Sequence, residues 1–262
     1  MVVAGALVWT LYPLLWVVLS SIKPEQDQFA IPPVWFGSRL TLDNYIRFFQ
    51  DASFLKTLVN STVITTLSTA LSLLLGVPSA YGLSRFHLRY KDILSIGVLL
   101  VRMLPPIVMV IPIFLLARTF RLLDTYTVMV LVGAFFSVPF VIWMMKGFFD
   151  EVPTELEEAA MVDGSSRAWA MWRVIVPLTG PGMAATAVLS ALIVWNEFLY
   201  ALVLTGANTR TLPVLVNSFV SEKTVNWGVM SAAGVVAALP LVLFGLSIQK
   251  HLIRGLTAGA IK

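Results

Sequence analysis

The stretch TLVNSTVITTLSTALSLLLGVPSAYGLS, residues 57–84, runs for 28 residues without a charged side chain. At 1.5 Å per helical residue, about 20 apolar residues cross the hydrocarbon core of a bilayer, so this run spans it with some tilt. Backbone N–H and C=O groups in lipid have to be satisfied within the segment, which makes the run a helix. Five further stretches are free or nearly free of charge and read alike: Met1–Ile22, Ile93–Ala117, Thr125–Met145, Val174–Asn196 and Thr224–Gln249. The chain is 58% hydrophobic and 12% charged, against about 25% charged in soluble domains, too little to coat a globule. The expected fold is all-α and polytopic, six transmembrane helices in a single membrane domain over residues 1–262.

Six spans put both termini on one face. With the N-terminus cytoplasmic, Lys and Arg outside the spans divide nine inside against eight outside, so the count fixes no orientation. The knot of Arg85, Arg89 and Lys91 and the cationic tail favour termini inside; Arg118 with Arg121 argues the other way. The first span has no basic segment before it and no small-residue cleavage site, so it reads as retained and not as a signal peptide. Its apolar start at Val2 points to basic residues missing upstream. Zero cysteines exclude disulfides and thiolate metal sites, and no basic cluster invites nucleic acid.

Two loops are long. Lys23–Lys56 joins an extended IPPVWFG (31–37) to a short amphipathic helix with Leu42, Tyr45, Ile46 and Phe49 on its apolar side, and Thr205–Trp227 is polar with few charges. A third element, within residues 150–178, is different: TELEEAAMVDGSSRAWAMWRVIVP (154–177) holds Glu155, Glu157, Glu158 and Asp163 between apolar runs. Thr154 and Glu157 have the spacing of a capping box, and the acidic residues of the first turns favour the positive helix end. Gly164 stands where a left-handed C-terminal cap belongs. Ser165 or Ser166 then caps a second helix, which Pro177 ends or kinks. The result is a helix–turn–helix outside the bilayer. Ala159, Ala160 and Gly164 give it a flat face edged by Glu158 and Asp163, suited to docking, or else to spacing two spans.

Glu158-Ala159-Ala160, three residues, Gly164, nine residues and Val174-Ile175-Val176-Pro177 resemble the EAA signature of permease subunits of binding-protein-dependent ABC importers. Val174 and Val176 replace the isoleucine and leucine of that pattern. Leu58-Val-Asn60-Ser61, Arg102-Met-Leu-Pro105-Pro106, Trp195-Asn196-Glu197-Phe198 and the tail Gly255–Lys262 resemble the carbohydrate subfamily, in particular the shorter six-span partner of maltose-type permease pairs. The resemblance implies that the loop is cytoplasmic, that both termini lie inside, and that the loop's first helix enters a cleft of a separate ATPase. Glu157, Glu158, Ala159, Ala160, Asp163, Gly164 and Pro177 are then the expected coupling residues. The implied partners are a second permease, two ATPase subunits, an extracytoplasmic binding protein and membrane lipid. ATP and Mg would be bound by the ATPase, and this chain would hold no cofactor of its own. The implied setting is the cytoplasmic membrane of a bacterium or archaeon. In some relatives the tail reaches the ATPase interface.

Inside the spans, Arg102 lies about ten residues into the third, near the midplane at 1.5 Å per residue. A charge at that depth costs about 2.5–3.5 kcal/mol. It reads either as a translocation-path group or as a packing anchor beside Pro105 and Pro106. Glu197, with Asn196, falls near the outer end of the fifth span, either snorkelling or lining the pathway mouth. Arg102, Asn60, Asn196 and Glu197 are the candidate path residues. Prolines 78, 105, 106, 112 and 139 predict kinks. A phosphate loop of the G-x-x-x-x-G-K-[ST] type is absent, His87 and His251 are isolated, and no cluster has metal spacing, so the chain reads as a transporter subunit and not an enzyme. The substrate reads as a sugar or oligosaccharide; alternatives are another importer solute (a polyamine or glycerol phosphate) or a self-sufficient channel or secondary transporter with the hairpin as a spacer.

Overall fold

The computed structural model describes residues 2–32, 34, 35, 39–87, 89–220 and 225–258. Pro33, Phe36 and Gly37 of the IPPVWFG stretch and residues 259–262 of the tail lie outside these. The described chain is helical: α1 (Val2–Ser21), α2 (Glu25–Gln28), α3 (Asp43–Phe49), α4 (Phe54–Arg85), α5 (Lys91–Met103), α6 (Pro106–Thr119) and α7 (Tyr126–Asp150) are followed by α8 (Thr154–Val162) and α9 (Arg167–Ala170). A π-helical turn, Met171–Ile175, leads into α10 (Val176–Leu178), and α11 (Gly180–Trp195), α12 (Leu199–Leu204), α13 (Leu212–Asn217) and α14 (Trp227–Ala258) complete the chain.

Among the described residues three unbroken helices are long and apolar enough to cross a membrane: Phe54–Arg85, Tyr126–Asp150 and Trp227–Leu246. The third and fifth spans expected from sequence, the third with kinks at Pro105 and Pro106, are bent pairs. Ile93–Met103 meets Pro106–Thr119 at 89°, and Arg167–Leu178 meets Gly180–Trp195 at 80°. With each pair counted as one span the total is five, and the first expected span coincides with the apolar α1. The first bend has a local cause. A residue before proline is pushed out of the α region, so Leu104 and Pro105 are both extended, with ψ of 124° and 125°, and Pro106 restarts the helix where no N–H is needed. At the second bend Thr179 leaves helical geometry (φ −90°, ψ 10°) ahead of Gly180-Pro181-Gly182. Pro78, Pro112 and Pro139 lie inside continuous helices.

The chain divides into two compact units, Met1–Ser61 with Arg210–Val242 and Thr62–Thr209 with Leu243–Lys262. In the first, Asn44 of α3 donates through Nδ2 to the carbonyls of Ser21 (3.0 Å) and Lys23 (2.8 Å). Phe48, fully buried, sets its ring edge-on against Phe54 and Phe219. The short helix expected in this loop therefore forms, but its buried face is Asn44 and Phe48. Leu42, Ile46 and Phe49 are exposed and Tyr45 is half-buried, so the apolar side read from periodicity faces away from the packed side. Lys23 is buried, with its ammonium 4.5 Å from the Trp16 ring centroid. Desolvation pushes its pKa down against the opposing pull of Asp27. Asn60 and Ser61, in the first turns of α4, hold the start of α13: Asn60 donates to the Arg210 carbonyl (2.9 Å), and Ser61 Oγ accepts from Leu212 N–H (2.8 Å).

In the second unit α4, α7 and α11 approach closely because glycines face their neighbours, as in other membrane helix packings. A Cβ on Gly76 would stand 2.5 Å from Val141 Cγ1, and one on Gly133 would stand 2.6 Å from Ser68 Oγ. An apolar cluster of Val77, Ala80, Tyr81, Val141, Met145, Phe149 and Ile175 joins the C-terminal ends of α4 and α7 to the π-helical turn. This cluster is the floor on which the acidic hairpin sits.

Candidate functional site

The hairpin begins at Pro153, whose ψ of 135° makes it the residue preceding α8. Thr154 is thereby the first helical residue and not the cap, and no side chain caps this end, so the expected capping box does not form. The C-terminal end follows the sequence reading. Gly164 has φ +91°, Ser165 N–H donates to Ala160 O (3.1 Å) and Gly164 N–H to Met161 O (3.0 Å). These two bonds around a left-handed residue are a Schellman motif. Ser166 then caps α9, its Oγ accepting from Trp169 N–H at 3.3 Å. The helix widens at Met171–Ile175, where Val176 N–H donates to Met171 O, five residues back. That wide turn comes just before Pro177, which has no N–H to offer the carbonyl of Arg173.

Of the coupling residues expected from sequence, Glu158, Ala159, Asp163, Gly164 and Pro177 are exposed and Ala160 is half-buried. Leu156, Val162, Trp169 and Trp172 add an apolar exposed surface, with Val162 86% exposed. Glu157 is not part of this surface. It is 3% exposed and turned inward, where Tyr81 OH donates to its Oε1. Arg85 Nε lies 3.3 Å from Oε2 and Arg167 Nε lies 3.4 Å from Oε1. Arg85 also donates to Val152 O at 2.6 Å, and the Arg167 guanidinium lies over the Phe86 ring, 5.4 Å from its centroid. Next to this group, Ser84 Oγ donates to Asp150 (2.6 Å) and Lys146 pairs with the same carboxylate (2.6 Å). Tyr81 escapes sequence reading, and Arg85 reads there only as part of a basic knot and not as a partner of Glu157. Their one signal, an aromatic and a cation four apart in the last turns of a span, also fits an interfacial anchor.

The candidate path residues do not gather into one site. Arg102 closes the last turn of α5, beside the extended Leu104-Pro105, and its guanidinium carbon is 5.1 Å from the Phe140 centroid. A cation at a helix C-terminus complements the dipole. It therefore stands at the end of the first half of a broken span, just before the kink at Pro105 and Pro106. Glu197 caps the restarted helix α12, accepting from Tyr200 N–H at 2.8 Å, a more specific role than snorkelling. Tyr200, buried, donates through its hydroxyl to Pro106 O (2.9 Å) and stacks on Phe136. Asn196 is exposed and donates to Leu192 O within its own helix. Asn60 is buried in the loop contact described above.

A further group in this unit was not legible in the sequence. Asp124, in the α6–α7 loop with φ +56°, accepts from the N–H groups of Gly206 (2.8 Å), Asn208 (3.1 Å) and Thr209 (2.9 Å), from Asn208 Nδ2 (3.0 Å) and from the Thr209 hydroxyl (2.8 Å). Burial would raise its pKa, but these donors outweigh burial and hold the carboxyl down, at about 2. Among the described residues no His, Cys, Asp and Glu cluster has the makings of a metal site.

The sequence is 35% identical, over 96% of the chain and 89% of the relative, to the sulfoquinovosyl glycerol transport system permease protein SmoH of Agrobacterium fabrum. It is 34% identical, over 97% and 93%, to the trehalose transport system permease protein SugB of Mycobacterium tuberculosis. A chain of a bacterial ABC transporter involved in import of the acidic polysaccharide alginate shares the fold, with TM-score 0.81 at 24% identity over 95% of this chain and 93% of that one. A chain of the MetNI methionine ABC transporter shares it over 77% and 94%, with TM-score 0.63 at 17% identity. Residues 72–258 match the family described as binding-protein-dependent transport system inner membrane component. This multi-pass membrane protein belongs to that family of transport-system inner membrane components.

Proposed function

We propose that the chain is the permease subunit of an ATP-driven importer for a sugar or oligosaccharide. One observation carries the coupling part of this reading: the hairpin turns Glu158, Ala159, Asp163 and Gly164 outward while Glu157 ties it down from inside. A small-residue face with charged edges, held rigidly by a Schellman turn, suits insertion into a cleft of a separate ATPase. That ATPase would bind ATP and Mg and carry out hydrolysis. A second permease, two ATPase subunits and an extracytoplasmic binding protein complete the proposed assembly in the cytoplasmic membrane, with both termini inside. The names of relatives support the substrate class, since they transport sulfoquinovosyl glycerol, trehalose and diacetylchitobiose. Arg102, beside the break at Leu104-Pro105, and Asn196 and Glu197, between α11 and α12, are proposed to line the path, because irregular backbone at membrane depth is tolerated where it lines a cavity or is buried in protein. Asn60 would act on the path indirectly, through the loop at Arg210–Leu212.

The test is uptake of radiolabelled trehalose, maltose and diacetylchitobiose by proteoliposomes holding the chain alone or with its partner subunits. Uptake of one of these sugars is expected only with all subunits and internal ATP; solute movement by the chain alone overturns the reading. Gly164→Trp should abolish ATPase co-purification and uptake while membrane insertion persists, whereas Gly164→Asn, which tolerates the left-handed backbone, should retain both.

A further inference from the structure

We propose that Glu157 is a positioning residue that locks the hairpin to the inner end of α4, so that α4 is moved through side chains and not through the chain's covalent connections. This rests on the importer reading above. The hairpin's two covalent connections are both irregular. On one side α7 leads into α8 through Glu151–Pro153, with Pro153 extended. On the other, the π-helical turn and the 80° bend at Thr179 separate α9 from α11. By contrast α4 is continuous for 32 residues, and it receives the hairpin at its last two turns through Tyr81 and Arg85.

Burial of the charged group supports the assignment. Bringing a carboxylate and a guanidinium out of water costs more than apolar packing of the same volume returns, and the floor beneath the hairpin is already apolar. A charged cluster adds register: Glu157 reaches Arg85, Tyr81 and Arg167 together in one placement of three elements. The side chains grade from inside to outside. Glu157 and Arg85 are 4% and 7% exposed, and Arg167 is 49% exposed. Arg167 lies three residues after Gly164 on the exposed side of the turn, so a surface pressing on the hairpin bears on Arg167. From there the contact runs through Glu157 to Tyr81 and Arg85.

A chain of contacts becomes a coupling route only when its disruption changes coupling. The native sequence has no cysteine, so cysteines at the exposed Ser79 and Ala168 can carry paired spin labels in the complete reconstituted complex. With Glu157 in place, the separation between the labels should be the same without nucleotide and after trapping with ATP and vanadate. In Glu157→Gln, which cannot neutralise both arginines, trapping should shift and broaden that separation while the ATPase still co-purifies. Glu157→Asp should restore part of the wild-type behaviour. Arg167→Gln removes the half-exposed link, leaves Arg85 paired, and should give the same shift with folding retained. An unchanged separation in both Gln variants overturns the proposal, as does a wild-type separation that changes on trapping. If the wild-type chain recruits no ATPase, the importer reading fails first, before any Glu157 variant is measured.

Discussion

Two carboxylates flank α7 in the same unit, and they are held in opposite ways. Glu157, seven residues beyond its C-terminal end, is met by two guanidinium groups and a phenol from α4 and α9. Asp124, two residues before its N-terminal end, is met by neutral donors, three backbone N–H groups, an amide and a hydroxyl, from three residues of one loop, Gly206, Asn208 and Thr209. Dipoles from one short segment fix that segment's shape and nothing further away. Cations from separate helices fix the helices relative to one another, and leave each charge dependent on the others. Removing either carboxylate therefore has different reach: local at Asp124, distributed at Glu157.

The largest effect should come from Glu157→Ala. It strands the Arg85 guanidinium, 7% exposed, without its carboxylate, a class of change that costs about 3–5 kcal/mol. Thermal unfolding in lipid nanodiscs should fall accordingly, and Glu157→Ala with Arg85→Leu should recover a large part of the loss. A double variant no more stable than the single one would mean that the cation is not what makes the cluster costly to break.

Asp124→Asn should cost less and act locally. Its folded pKa of about 2 lies below the unfolded value of about 3.9, and each tenfold change in proton affinity corresponds to about 1.4 kcal/mol. With allowance for partial exposure, the contribution is about 1–2 kcal/mol. A depressed carboxyl stabilises the fold fully above the unfolded pKa and loses that contribution as pH falls through the folded one. The loop should hold unchanged from neutral pH down to about 4, then loosen toward pH 2. Hydrogen exchange of residues 206–209, corrected for intrinsic rate, reads this directly. The Asn variant should exchange faster in that loop at neutral pH and show no further loosening between pH 4 and 2. Faster exchange spreading into α8 would contradict the locality of the clamp.

This contrast also separates what was readable in the sequence. Gly164 and Ser166 act on their own backbone neighbours, so residue type and spacing were enough to assign a turn and a cap. Thr154 misled because Pro153 takes the residue before the helix, displacing the threonine by one place. The inward turn of Glu157 depends on Arg85, which lies 72 positions away in the sequence, and the Asp124 clamp depends on a loop more than 80 positions away. No periodicity encodes either. On α3 the apolar side read from periodicity was legible but the packed side was not: lipid and interface do not penalise exposed apolar groups as water does, so the outward side of a membrane helix is as apolar as its packed side. The bend at Pro105-Pro106 was legible as a kink, whereas its size and the second bend at Thr179 depend on surroundings outside the local sequence.

The smallest expected effect lies on the same hairpin as Glu157 but arises in a single backbone turn. An added Cβ at Gly164 meets nothing within 4 Å, so Gly164→Ala adds no steric conflict with neighbouring side chains. What remains is the left-handed backbone, φ +91°, which costs an alanine about 1 kcal/mol. The Ser165–Ala160 and Gly164–Met161 bonds should hold against that cost, because the strain is smaller than the loss of two helix-end hydrogen bonds. Gly164→Ala should thus lower thermal stability slightly and leave ATPase co-purification intact, with the Ser79–Ala168 label separation unchanged. A larger loss of stability, or loss of ATPase binding with stability retained, would place the weight of the hairpin on its turn and not on the buried charge beneath it.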